Sequence, residues 1–358
     1  MSKFDQIEKG TLSFRAFRIA KQAGTKITAA QFAQNIIPDI AQIVGKDSVT
    51  GWAAMTPIMG RTITDDNCLV ADRVCVSLIK AQKKPPADML AVELSKEIEA
   101  EKIARGVGFL PLKTKQEIKE RVIDNLTKDV QPSINCIPCV INNQTNAVIA
   151  CAVSDSQMDQ FMIEFNTATG CNAIPETPDS MLVLNGWHKS RCVMLSMSPD
   201  QSLKSPSKPT IGMDFLTWLM YRYDKAGVGN YMLKGPVALY GEYAEARTTV
   251  LKQGTPTLSK ELKNAIKEGK KIKKIKLVIA KGDNVFSAVI DDDFDFRSVK
   301  LPKSDSMYSE SILIDRIHAI EMFMELFNEL FAQFAQIHIN SGWTAEVEKI
   351  REWVGDGQ

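Results

Sequence analysis

Within KIKKIKLVIAK, residues 271–281, Ile275, Leu277 and Ile279 fall on alternate positions with Lys274 and Lys276 between or beside them. A period of two marks a strand with one buried face, so the apolar side is settled and these lysines face away from the core. Residues 268–293 as a whole read as a β-hairpin that ends in an acidic turn. Lys270, Lys271 and Lys273 crowd its entrance. From Lys260 to Lys281 nine lysines stand against two glutamates, a local charge of +7 in a chain whose total is +1.

Two readings fit this lysine strand. Lysine blunts exposed sheet edges against unwanted pairing, which would make it a solvated strand. Alternatively, cations along one face track phosphates, as sequence-neutral DNA binding requires. Lysine, a flexible point charge, suits tracking better than bidentate base reading. Arginine and aromatic residues are scarce in this stretch, which argues against base-specific contacts or stacking on single strands.

At 358 residues and 44% hydrophobic content the chain can bury a sizeable core and divide into two or three domains. Forty-four basic and forty-three acidic residues leave no global field toward nucleic acid or anionic lipid, so any polyanion site must be local. The N-terminus lacks the apolar core of a signal peptide, and no apolar run approaches the ~20 residues of a membrane helix. A soluble, cytoplasmic protein without a membrane partner is expected. The seven cysteines lie mostly in apolar, strand-like contexts and read as buried thiols, without disulfides.

Hydrophobic periodicity organises the rest. A strand at 12–19 precedes an amphipathic helix at 28–44, kinked at Pro38. Residues 67–80 read as one long central strand with Val70, Val74, Val76 and Leu78 on a shared side. A charged helix with Leu90, Leu94 and Ile98 on one face and a second with Ile118, Val122 and Leu126 form a helical hairpin. Strands at 136–141 and 147–153 precede a helix with Met158, Phe161, Met162 and Phe165 inward. Residues 196–212 hold five serines and three prolines in seventeen positions and read as a linker. Beyond it come an aromatic helix, two strands, a helix with Leu258, Leu262, Ala265 and Ile266 inward, and the lysine hairpin. A long helix at 309–338 carries a coiled-coil-like seam through Phe327, Phe331 and Phe334.

The expected fold class is α+β, with mixed or antiparallel sheets and helical layers. The segments are 1–80 and 131–195 of a central region, 81–130 a peripheral helical hairpin, 196–212 the linker, 213–340 a C-terminal α/β region, and 341–358 a helical extension.

Other constellations carry weaker chemistry. Asp291, Asp292, Asp293 and Asp295 are the best metal candidate, but neighbours on a strand point to opposite faces, and a solvated turn is favoured. Cys136 and Cys139 form a lone C-x-x-C without a second pair at zinc spacing. His188, His318 and His338 sit in no recognised catalytic arrangement, and His338 continues the long helix's seam. Gly106-Val-Gly108 and Gly227-Val-Gly229 lack the third glycine of a dinucleotide fingerprint. Phe215, Trp218, Leu219 and Tyr223 read as core. No catalytic residue, cofactor or metal is expected.

The ordered set GWAAMTPIMG, the charged helix pair after KAQKKPP, the hairpin through ACAVS, DFLTWLMY, and TLSKELKNAIKEGKKIKKIKLVI with its acidic turn resembles the recombination-associated protein RdgC family of bacteria and their phages. The likeness extends over roughly residues 12–338. It implies a ring-forming homodimer that encircles double-stranded DNA without sequence preference, associates with the nucleoid, and restrains the RecA recombinase indirectly through shared DNA. An exonuclease label attached to the family finds no clear active site in this sequence. Where members can carry an aromatic closure residue, this chain reads DVQPSINC, with Gln131 or Ile134 nearest. On this reading Lys270, Lys271, Lys273, Lys274 and Lys276 contact phosphates, with Lys80, Lys83 and Lys84 as a second set. The alternatives are a metal-dependent exonuclease using the Asp291 to Asp295 turn, or a protein-interaction module using the long helix.

Overall fold

A computed structural model describes residues 7–20, 24–40, 43, 48–57, 59–186, 211–226, 230–241, 245–340 and 342–355. The chain opens with strand β1 (Leu12–Ala20), short helix α1 (Ala29–Ala33), β2 (Ser48–Ala54), helix α2 (Asp65–Cys68), β3 (Leu69–Val70) and β4 (Arg73–Gln82). Helices α3 (Ala87–Arg105) and α4 (Leu112–Asp129) follow, then β5 (Ser133–Asn142), β6 (Ala147–Ala150), α5 (Asp155–Thr169), β7 (Asn172–Pro175) and α6 (Pro178–Leu184). After α7 (Ile211–Ala226) come β8 (Tyr231–Tyr240), β9 (Thr248–Leu251), α8 (Lys260–Lys267), β10 (Lys271–Lys281), β11 (Asn284–Asp291) and β12 (Phe296–Lys300). Helices α9 (Ser309–His338) and α10 (Gly342–Gly355) complete it. The fold is mixed α+β, and the strand pairs in the named sheets run antiparallel. Among the described residues no helix is long and apolar enough to cross a membrane.

Two compact units divide the chain: Met1–Thr25, Val140–Ile163 and Cys171–Gln358 form one, Lys26–Cys139 and Glu164–Gly170 the other. They cut across the segments expected from sequence, because β1 pairs with β12 nearly the whole chain away, Leu12 opposite Val299 and Phe14 opposite Phe296. Periodicity within a strand carries no record of its partner.

The larger unit is built on the strand order β6-β1-β12-β11-β10-β8-β9, with β7 also on β1. Its inner face is aromatic. Phe14, Phe286 and Phe296 surround Phe323 of α9 at ring distances of 6.5, 6.1 and 5.5 Å. Further along α9, Phe327, Phe331 and Phe334 close on Phe215 of α7 at 5.8, 5.4 and 5.4 Å. The long helix therefore spans the bounds its seam predicts, but its phenylalanines are buried inside their own chain, which leaves none of them for a partner helix. The expected aromatic core holds for Phe215, Trp218 and Leu219, with Tyr223 half-buried. Gly212, assigned to the linker by composition, is instead in the first turn of α7. A Cβ there would come within 1.9 Å of the Asp292 carbonyl oxygen, so only glycine lets the helix approach the acidic turn this closely. Ile211 likewise belongs to α7, while residues 196–210 of the linker, His188, Cys192 and Gly227-Val-Gly229 lie outside the described residues.

The smaller unit pairs β2 with β4 and β3 with β4. The long strand expected at 67–80 is broken: Ala71 and Asp72 adopt φ of 47° and 62°, a two-residue turn that folds β3 back on β4. The helix expected at 28–44 stops at Ala33. Asn35 and Ile37 instead trade backbone hydrogen bonds with Trp52 at 2.8 and 2.9 Å, and Pro38 disfavours helical geometry just before it. Helices α3 and α4 pair as expected around Leu110, Ile118 and Val122, with Leu90, Leu94, Ile98 and Leu126 packed on them.

Candidate nucleic-acid interface

The hairpin β10–β11 forms in the register its alternation implies, with Ile275 opposite Ile290 and Leu277 opposite Ala288, all buried. On the far side of β10 the lysines divide into two groups with different fates. Just past the end of helix α8, Gly269 has a φ of 90° and turns the chain sharply into the sheet. Lys270 and Lys271 sit in that crook and are only 5% and 7% exposed. The Lys270 ammonium donates to Thr249 Oγ1 of β9 at 2.7 Å. That of Lys271 donates to Asp214 Oδ1 of α7 at 2.6 Å, and Asp214 in turn lies 3.4 Å from Nε2 of the buried His338. Lys270 and Lys271, expected from sequence among the phosphate-contacting cations, are thus buried and engaged inside the chain.

Lys273, Lys274 and Lys276 remain outside. A bulge between Ile272 and Lys274 lets β10 spend two residues against one of β8, so Lys273 and Lys274 both lie outward while Ile272 and Ile275 are both buried. Neighbouring strands extend the surface. Residues directly across a ladder share a face, and one row runs Lys234 on β8, Lys276 on β10, Val289 on β11 and Arg297 on β12. The next row runs Met232, Val278, Ser287 and Lys300. Lys234, Lys273 and Lys300 are exposed, while Lys274, Lys276 and Arg297 are half-buried. Lys234, Arg297 and Lys300 were missed from sequence, since each is a lone cation whose place depends on pairing register. Tyr240 was missed too; Lys273 Nζ stands 5.4 Å from its ring centroid.

The acidic turn borders this face and is not the solvated feature its sequence suggests. Asp295 is 2% exposed and gripped by Arg15 and by Arg297, the latter at 2.8 Å. Burial and the nearby Asp295 carboxylate push the Asp291 carboxyl up, against the pull of Lys274 and Arg297. Burial likewise raises Asp292 to about 6, with Lys273 opposing and Asp293 and Asp291 adding. Among the described residues no group of three or more His, Cys, Asp or Glu is placed to hold a metal ion. Cys136 and Cys139 are both buried.

Asp292 therefore holds its proton more tightly folded than unfolded, where a carboxyl titrates near 3.9. Its contribution to stability is fully present below about pH 4 and is lost as pH rises through about 6. Asp292→Asn should raise the unfolding free energy measured in urea at pH 7 by on the order of 1 kcal/mol after solvent screening, and leave it unchanged at pH 4.

Lys80, Lys83 and Lys84 belong to the smaller unit. Lys80 is half-buried near the end of β4 opposite Thr50; Lys83 is half-buried and Lys84 exposed just beyond that strand. Neither a scan against protein-family models nor a search of curated proteins returned a match.

Proposed function

We propose that this chain binds double-stranded DNA without sequence preference through the outer face of β8, β10 and β12. The observation that carries this reading is the set of outward cations, Lys234, Lys273, Lys274, Lys276 and Lys300, on a sheet whose other side is sealed by Phe286, Phe296 and α9. Ammonium groups on flexible stems meet phosphates wherever they fall, and little on this face is suited to reading base edges. A near-neutral chain can do this because the positive charge is concentrated on one face. In the reading the family resemblance suggests, two copies close a ring around the duplex and restrain RecA by occupying its DNA, in the cytoplasm and on the nucleoid. Asp295, the buried carboxylate of the acidic turn, is engaged with Arg15 and Arg297, which favours a binding role over hydrolysis.

A salt-titrated comparison of linear and covalently closed circular duplex tests both parts. Affinity should fall steeply with salt on either DNA, at a log–log slope of about −0.9 per phosphate contacted. Once loaded, complexes on closed circles should outlast those on linear DNA in high-salt washes, since a ring can slide off an end. A flat salt response rejects the face; equal lifetimes with a steep response reject the ring alone.

A further inference from the structure

Beside the lysine face, at the β8–β9 end of the same unit, lies a groove of about 530 Å³. Its rim holds Lys234 and Lys252, and Tyr223, Met232, Pro236 and Leu258 supply apolar surface. Gly235 lets Pro256, also in the lining, pack closely against β8: a Cβ there would meet Pro256 at 2.6 Å. Leu258, expected from its helical spacing to point inward, is instead 57% exposed here, and Met232 is 39% exposed. Among the described residues the lining carries two ammonium groups and no carboxylate. Such a site suits an anion attached to a flat apolar body. Lys234 belongs to both features, standing directly across from Lys276 in the ladder and at the rim of the groove.

We infer that this groove receives an unpaired nucleotide of a strand that continues from duplex held on the lysine face, its phosphate between Lys234 and Lys252 and its base against Tyr223, Met232 and Leu258. The inference rests on the DNA-binding reading and adds a preference for duplex with a single-stranded extension over blunt duplex. Bases of any identity have a stackable face, so the preference is indifferent to sequence. An acidic peptide shares the charge but not the planar body, and it has no reason to begin at the lysine row.

The test compares a blunt duplex with the same duplex bearing a short overhang whose first unpaired position is 2-aminopurine. The overhang should tighten binding about tenfold, and the fluorophore should be quenched by stacking. Lys252→Ala and Leu258→Ser, both exposed positions outside the lysine face, should abolish the gain and the quenching while leaving blunt-duplex affinity unchanged. No gain with an overhang, a gain that survives both substitutions, or displacement of the overhang by a polyglutamate peptide without loss of the duplex would overturn the groove assignment alone. Failure of wild-type protein to bind blunt duplex would overturn the lysine-face reading, and the groove assignment with it.

Discussion

Replacing Lys274 and Lys276 together by glutamate is expected to weaken duplex binding on the order of 100-fold at low salt and to reduce the magnitude of the log–log salt slope by about two. The two ammonium groups stand in the middle of the cationic face, flanked by Lys234 across one ladder and by Asp291 across the other. Each lost phosphate contact removes close to one unit of slope, and the introduced carboxylates repel the same phosphates. Both side chains lie on the outer side of β10, with the buried work of the strand done by Ile275, Leu277 and Ile279, so the fold should survive. Lys113→Glu with Lys119→Glu, exposed on α4 of the smaller unit, makes the identical change in net charge at residues outside this set and is the control. Equal losses in the two double variants would mean that only total charge matters, and the face would lose its assignment. Binding can be followed by fluorescence anisotropy across a salt series.

The second large effect concerns stability. Asp214→Ala should cost roughly 3–5 kcal/mol in urea unfolding, because it withdraws the carboxylate from a Lys271 ammonium sealed between α7 and β10. Asp214 is 0% exposed and also faces His338, so the substitution disturbs α9 as well. The double variant Asp214→Leu with Lys271→Met should recover much of the loss, since exchanging a whole buried ion pair for apolar groups is often close to neutral. A single variant as stable as wild type, or a double variant no better than the single, would show that the pair is not coupled in this way. The same series decides what Lys271 does. Weakened DNA binding in a Lys271 variant that keeps its urea midpoint would return it to the surface set; weakened binding that tracks unfolding would leave it in the core.

The elements that sequence makes legible are those whose own periodicity decides them. Helix α9, the α3–α4 hairpin, α5 with Phe161 and Phe165 buried, and the β10–β11 hairpin all follow from apolar spacing within one segment. What stays hidden depends on residues far along the chain. The helix expected at 28–44 ends early because Trp52 takes the backbone groups of Asn35 and Ile37, and nothing local announces that exchange. Lys270 and Lys271 look identical in sequence to Lys273 and Lys274; only the turn at Gly269 and the partners Thr249 and Asp214 separate the buried pair from the outward one. Lys234 and Lys300 join the candidate face through ladder register, and Tyr223 reaches its neighbourhood from α7. The acidic turn reads as water-facing because Arg15, almost three hundred residues earlier, is invisible from it.

The bulge in β10 acts as a change of parity. Past it, odd-numbered positions (Ile275, Leu277, Ile279) go inward; before it, the even-numbered Ile272 does. Losing Lys273 or Lys274 would only remove the bulge and keep Ile272 and Ile275 inward, but losing a residue between Ile275 and Ile279 would put the two ends of the strand out of phase, dragging a lysine into the phenylalanine layer or pushing an isoleucine into water. Length, more than identity, is what this strand has to conserve.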